Sequence, residues 1–147
     1  MAGGFSILGT KIKTFKDYIK NKFSVSDIHH EKNYDLELNL SSVNLDLYKS
    51  ISKLQPHGMG NPKPKFLIRN CIKTFVKPAA EIHLIVYLND VYGNSIKSIA
   101  FNCFQTEIGQ ILRDDDEKEL DILCTLELNR WNGNENVELV IEDILKK

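Results

Sequence analysis

The sequence predicts a mainly β chain, α+β overall, on three observations. From Phe66 to the C-terminus apolar residues recur with a period of two, in five short runs. One break, between the third and fourth runs, has helical rather than alternating character. Ahead of them the apolar period is three to four residues. Five short strands with one helical break match a five-stranded OB-type barrel preceded by a short helical segment. Periodicity alone leaves other small barrels open.

The elements follow in order. Ile12, Phe15, Ile19 and Phe23 form one stripe of an amphipathic helix, and Lys11, Lys13, Lys16 and Lys20 occupy its remainder. Residues 24–33 are polar and read as a connector. Tyr34 to Leu40 alternates, with Leu36, Leu38 and Leu40 on one face of a short strand. Ser41 and Ser42 offer capping hydroxyls. Val43, Leu47, Ile51 and Leu54 then follow helical spacing until Pro56 and Gly58 stop it. Gln55 to Lys65 holds three prolines and two glycines, the most constrained loop of the chain.

Phe66–Val76 reads as the first barrel strand, with Arg69 and Lys73 on the face of Leu67, Cys71 and Phe75. In the second, Ile82, Leu84, Val86 and Leu88 face inward and His83, Ile85 and Tyr87 outward. Asn89 to Asn94 is a turn, and Ile96–Phe104 the third strand. Thr106 to Leu112 reads as a short helix and residues 113–119 as a charged loop. Leu120–Arg130 is the fourth strand, with Ile122, Cys124, Leu126 and Leu128 on one face. Asn132-Gly133 signals a type I′ hairpin, and Val137, Leu139 and Ile141 line the fifth strand.

Composition is that of a globular chain: 42% hydrophobic and 27% charged residues in a length of 147. No apolar run is long enough for a membrane helix, and no secretory signal is visible. The three cysteines, Cys71, Cys103 and Cys124, form no C-x-x-C pair and lie in apolar strand stretches. That pattern suits small buried side chains in a reducing, cytoplasmic setting. The net charge of −1 conceals a split, +7 over Met1–Lys77 and −8 over Pro78–Lys147. A local basic face is therefore compatible with the even balance.

Catalytic constellations are not apparent. His29 and His30 are adjacent, which sends their rings apart, whereas metal pairs favour i, i+4 spacing. The run Asp114-Asp115-Asp116-Glu117 reads as a solvated loop rather than a dispersed ligand set. No nucleophile elbow, phosphate loop or HExxH segment occurs. The expected catalytic and metal-binding sets are therefore empty, and no cofactor is expected in this chain. Binding features are richer. Arg69 and Lys73 on one strand, Tyr87 on the next, and Arg130 with Trp131 beside the hairpin turn combine cations with aromatics. Single-stranded nucleic acid uses that combination, bases stacking on rings while cations follow phosphates. The structural alternative is that Tyr87 and Trp131 seal the barrel.

Leu54-Gln55-Pro56-His57-Gly58-Met59-Gly60-Asn61-Pro62-Lys63-Pro64-Lys65-Phe66 resembles the L-x-P-F-G-x-G-N-P-x-P-x-F signature of bacterial RecJ single-strand-specific exonucleases. Pro56, Gly58, Gly60, Asn61 and Pro62 carry that signature. Ala2 to Ile7 is similar to the A-G-F-S segment closing a motif of the family's DHHA1 domain. His83-Leu84, Ile99-Ala100-Phe101 and Trp131-Asn132-Gly133 fall in matching order. The sequence departs from the family at His57, usually phenylalanine, and at Ile85, often lysine.

The resemblance implies a DHHA1 remnant over residues 1–33 and an OB domain over 34–147. It also implies a role in DNA recombination and repair, with Mg or Mn confined to a DHH catalytic domain that lies outside this chain. The partners implied are single-stranded DNA and the DHH/DHHA1 core of the same enzyme, with no membrane. Self-association through the Ile12–Phe23 stripe is a further expectation. The rival reading is a structural barrel that packs on the exonuclease core or on another protein.

Overall fold

The computed structural model describes residues 4–22 and 33–145. The expected connector, with Phe23 and the His29-His30 pair, lies outside the described residues. The chain divides into two compact units, residues 1–32 and 33–147. In the first, a 3-10 turn at Gly9–Lys11 leads into α1 (Ile12–Lys22). Phe5 meets Phe15 edge-on, with ring centroids 5.0 Å apart. Lys20 and Lys22 occupy the last helical turn, where cations complement the helix dipole.

The second unit begins with β1 (Leu36–Leu38), a 3-10 turn at Leu40–Ser42, and α2 (Leu45–Ser52). The cap of α2 is Asn44, whose side chain accepts from the Leu47 N–H at 2.9 Å. Ser41 and Ser42, the expected caps, are taken up by the 3-10 turn. Leu36 is exposed, whereas Leu40 is buried in the core. The half-buried strand expected over Tyr34–Leu40 is therefore shorter, and its last leucine does the packing.

The barrel strands are β2 (Phe66–Ala79), β3 (His83–Asn89), β4 (Ser95–Ala100), β5 (Glu119–Trp131) and β6 (Asn134–Leu145). They pair in the order β2-β3-β4-β6-β5, and β5 returns to β2, closing a ring of five. The β4–β6 contact is parallel and the other four are antiparallel. β1 adds to β2 in parallel outside the ring. The break between β4 and β5 holds α3 (Glu107–Arg113), capped by Thr106. Every barrel strand contributes fully buried inward residues, among them Ile68, Leu84, Val86, Leu88, Ser98, Ile122 and Leu139. All three cysteines are buried and free. Burial pushes the Cys71 and Cys124 thiols up to about 12.

The sequence pattern misplaces four features. The third strand ends at Ala100, and residues 101–105 form turns. Ile82 precedes β3 and is 52% exposed rather than inward. The fourth barrel strand carries a register shift between Leu123 and Cys124, so adjacent residues there are both buried.

The fourth correction concerns β2. Its register shifts once between Ile68 and Cys71 against β5, and again between Lys73 and Phe75 against β3. Asn70, at φ 54°, supplies the first irregularity and donates its N–H to Asp121 Oδ1 at 2.9 Å. Each shift moves later side chains to the other face. Cys71 lies in the core, Lys73 pairs with inward Leu88, and Phe75 pairs with outward Tyr87. Arg69, Lys73 and Phe75 thus do not share one face.

Candidate functional site

The cations expected to meet phosphates are largely engaged within the protein. The Arg69 guanidinium meets Glu37 at 3.0 Å and Asp121 at 3.2 Å, and the hydrogen bond it donates to Glu37 raises its pKa further. Lys73 Nζ donates to the Ile111 carbonyl at 3.2 Å and to that of Asp114, at the C-terminal end of α3. Burial lowers the Lys73 pKa, opposed by Asp114, Asp115 and Glu117. Arg130 meets Glu135 across the β5–β6 hairpin at 2.8 Å. Trp131 precedes the turn, where Asn132 and Gly133 both take the positive φ that a type I′ turn needs. Its side chain is 73% exposed, so it does not seal the barrel. Asp121, the partner of Arg69, stands ten residues before Trp131 on β5, about 30 Å of strand at 3.3 Å per residue. The five residues singled out from sequence therefore do not converge on one patch.

The signature loop is a brace. Gly58 and Asn61 exchange backbone hydrogen bonds of 2.9 and 3.1 Å. Asn61 Nδ2 donates to the Leu54 carbonyl at 2.7 Å and to that of Pro56 at 3.1 Å, tying the loop to the chain that leaves α2. The Gln55–Pro56 bond is cis. Beyond Pro62, Lys63 pairs with Glu127 on β5 and Lys65 with Glu142 on β6. These contacts fix the approach to β2.

One patch does gather aromatics: the outer face of β2, β3 and β4. Strand register sets it out in rows. Phe75, Tyr87 and Lys97 are cross-strand neighbours, as are Lys77, Ile85 and Ile99. The third row brings together Ala79, His83 and Phe101, the last just beyond the Leu84–Ala100 pair. The Phe75 and Tyr87 rings lie 6.0 Å apart, and those of His83 and Phe101 5.2 Å apart, edge to face. Phe75 and Phe101 are 54% and 52% exposed. His83 Nδ1 accepts from the Asn102 N–H at 2.9 Å, which puts its proton on Nε2 and fixes the ring. Lys97 pairs with Glu138 at 2.7 Å, and Lys77 has no ion-pair partner among the described residues.

Of the residues expected from sequence, only Tyr87 belongs to this face. Phe75 and Lys77 were hidden by the β2 register shifts, and Phe101 by its assignment to a strand. The signal that finds them is the outward alternation of β3, extended to its two neighbours.

Among the described residues no three His, Cys, Asp or Glu side chains gather as a candidate metal site. No helix among them is long and apolar enough to cross a membrane.

Comparison with known proteins places this arrangement. The chain is 20% identical to the single-stranded-DNA-specific exonuclease RecJ of Bacillus subtilis (strain 168), over 97% of its own length and 18% of the relative's. It thus spans about a fifth of that curated relative. The crystal structure of RecJ in complex with Mg2+ from Thermus thermophilus has a similar fold, with a TM-score of 0.51 and 22% identity, over 69% of this chain and 14% of that one. Residues 34–143 match the RecJ OB domain family, and the chain belongs to that family.

Proposed function

We propose that this chain is the single-stranded-DNA-binding OB region of a RecJ-like 5′–3′ exonuclease acting in recombination and repair. It contributes strand binding, and bond cleavage belongs to a DHH core with its own Mg or Mn. The observation that carries the reading is the outer face of β2–β4, where exposed rings stand beside Lys77, a lysine without an ion-pair partner among the described residues. OB folds use the corresponding strands for oligonucleotides, and stacking needs the free base faces that only a single strand offers. Trp131 and Arg130, on the exposed hairpin, extend the contact beyond that face. Self-association through α1, whose Ile12 and Ile19 are exposed, belongs to the same reading and is read out by light scattering.

Fluorescence anisotropy with labelled single-stranded and duplex oligonucleotides tests the proposal. Preferential single-strand binding, without nucleotide release in Mg or Mn, is expected. No affinity for either form at low salt favours the rival, a barrel that only packs on the exonuclease core. Metal-dependent release by the chain alone contradicts the division of labour.

A further inference from the structure

The aromatic face has a fixed pitch. Its three rows are two residues apart along β3, about 6.6 Å at 3.3 Å per residue. Bases stacked in a B-form strand rise about 3.4 Å. The rows are therefore spaced at about twice the distance of stacked bases. Each offers one apolar platform: Phe75 with Tyr87, then Ile85 with Ile99, then His83 with Phe101.

We propose that this face binds single-stranded DNA only in a stretched form whose bases have left one another, with three nucleotides on three rows. A side chain at each row takes the place of the neighbouring base. The inference rests on the single-strand reading above and adds the conformation that is selected. Charge on the face agrees with a polyanion held lightly. Lys77 lies in the middle row without an ion-pair partner among the described residues, and Lys97 is held by Glu138, which also accepts from Asn129. One phosphate contact, from Lys77, accompanies the three platforms.

Two consequences separate this mode from binding to a stacked strand. A strand that stacks on itself must be pulled apart first, so adenine runs bind more weakly than thymine runs. Affinity also depends little on salt, with a log–log slope of about −0.7 for one phosphate on a single strand.

The test uses the whole chain with fifteen-nucleotide dT and dA probes, and a dT probe carrying 2-aminopurine. We expect dT to bind at least about fivefold more tightly than dA, and 2-aminopurine fluorescence to rise on binding. Phe75→Ala and Phe101→Ala should each weaken dT binding by between about fivefold and about a hundredfold. Phe75→Leu keeps the apolar bulk but not the flat ring and should weaken it too. Lys77→Ala should flatten the salt slope. Equal or tighter dA binding with quenched 2-aminopurine overturns the stretched mode and leaves the single-strand reading standing. So does wild-type affinity in both phenylalanine variants. Failure of every single strand to bind at low salt overturns both.

Discussion

Lys73 Nζ donates to the carbonyl of Ile111 at 3.2 Å, so a strand residue closes the C-terminal end of the helix that fills the barrel's one break. Asp114 O accepts from the same nitrogen. The Ile111 carbonyl, which also accepts from the Asp114 N–H at 3.2 Å, and the carbonyl of the capping residue thus share a charged donor on the negative end of the α3 dipole.

Lys73→Met should therefore act on stability. Removing the donor takes a charge-assisted hydrogen bond from both carbonyls, at a cost of about 1–2 kcal/mol. Urea unfolding measures it, and the salt slope of single-strand binding should stay at its wild-type value. A flatter slope with unchanged stability would return Lys73 to the phosphate contacts.

Gly109→Ala should be among the most damaging single changes. A Cβ at Gly109 would stand 2.0 Å from the Cys103 carbonyl oxygen, a backbone atom that cannot swing aside. Helix propensity gains up to about 1 kcal/mol from the exchange, while overpacking of this severity costs about 3 kcal/mol or more. A lowered midpoint in thermal and urea denaturation is the expected outcome.

Ser98→Ala should move stability the other way. Ser98 is fully buried among inward residues of the barrel, and its hydroxyl has no hydrogen-bond partner among the described residues. Removing an unsatisfied buried hydroxyl recovers its desolvation cost, about 1 kcal/mol. A higher urea midpoint with an unchanged m-value is the result to look for.

Alkaline pH should unfold the domain through its thiols. Cys71 and Cys124 are raised to about 12 by burial, so the folded chain keeps both protons where the unfolded chain, near about 8.5, has lost them. The stability that this supplies is complete below about pH 8.5 and is lost as pH climbs toward 12. The slope is up to about 1.4 kcal/mol per pH unit for each thiol. Urea unfolding between about pH 8 and about pH 10.5 measures it, and the Cys71→Ala, Cys124→Ala double variant should be flatter.

Trp131→Ala should leave folding untouched. With most of the ring in solvent, its loss should change stability by no more than about 0.5 kcal/mol. Any fall in single-strand affinity in this variant then reports a contact with DNA. Unfolding would mean that the tryptophan packs after all.

Much of the fold was legible because its signals are local. Alternation located the barrel strands, Asn132-Gly133 located the β5–β6 hairpin, and Thr106 with the apolar residues after it located α3. The loop signature pointed to the family before any coordinates. The candidate site was less legible because it depends on register. Arg69 and Lys73 look equivalent in a strict two-residue period, and only the irregularities at Asn70 and Thr74 send one toward Glu37 and the other to α3. Ion pairing is likewise invisible in sequence when the partners are distant, as Arg69 and Asp121 are. Trp131 was placed correctly beside its turn, but its exposure depends on what lies around the hairpin.

The two irregularities in β2 act on the strand as paired changes of phase. The first puts Cys71 and Lys73 out of step with everything before them, and the second brings Val76 and Pro78 back. Asn70 and Thr74 mark the extra residues, so deleting either one removes its irregularity and leaves every later side chain on its present face. Deleting Ile72, in the regular stretch between them, would instead turn every later side chain of β2 over. Phe75 and Lys77 would enter the interior, while Val76 and Pro78 would take their places outside. Length changes in this strand are therefore tolerable at the two irregularities and ruinous between them, and the parity of β2 decides whether the barrel has an aromatic face at all.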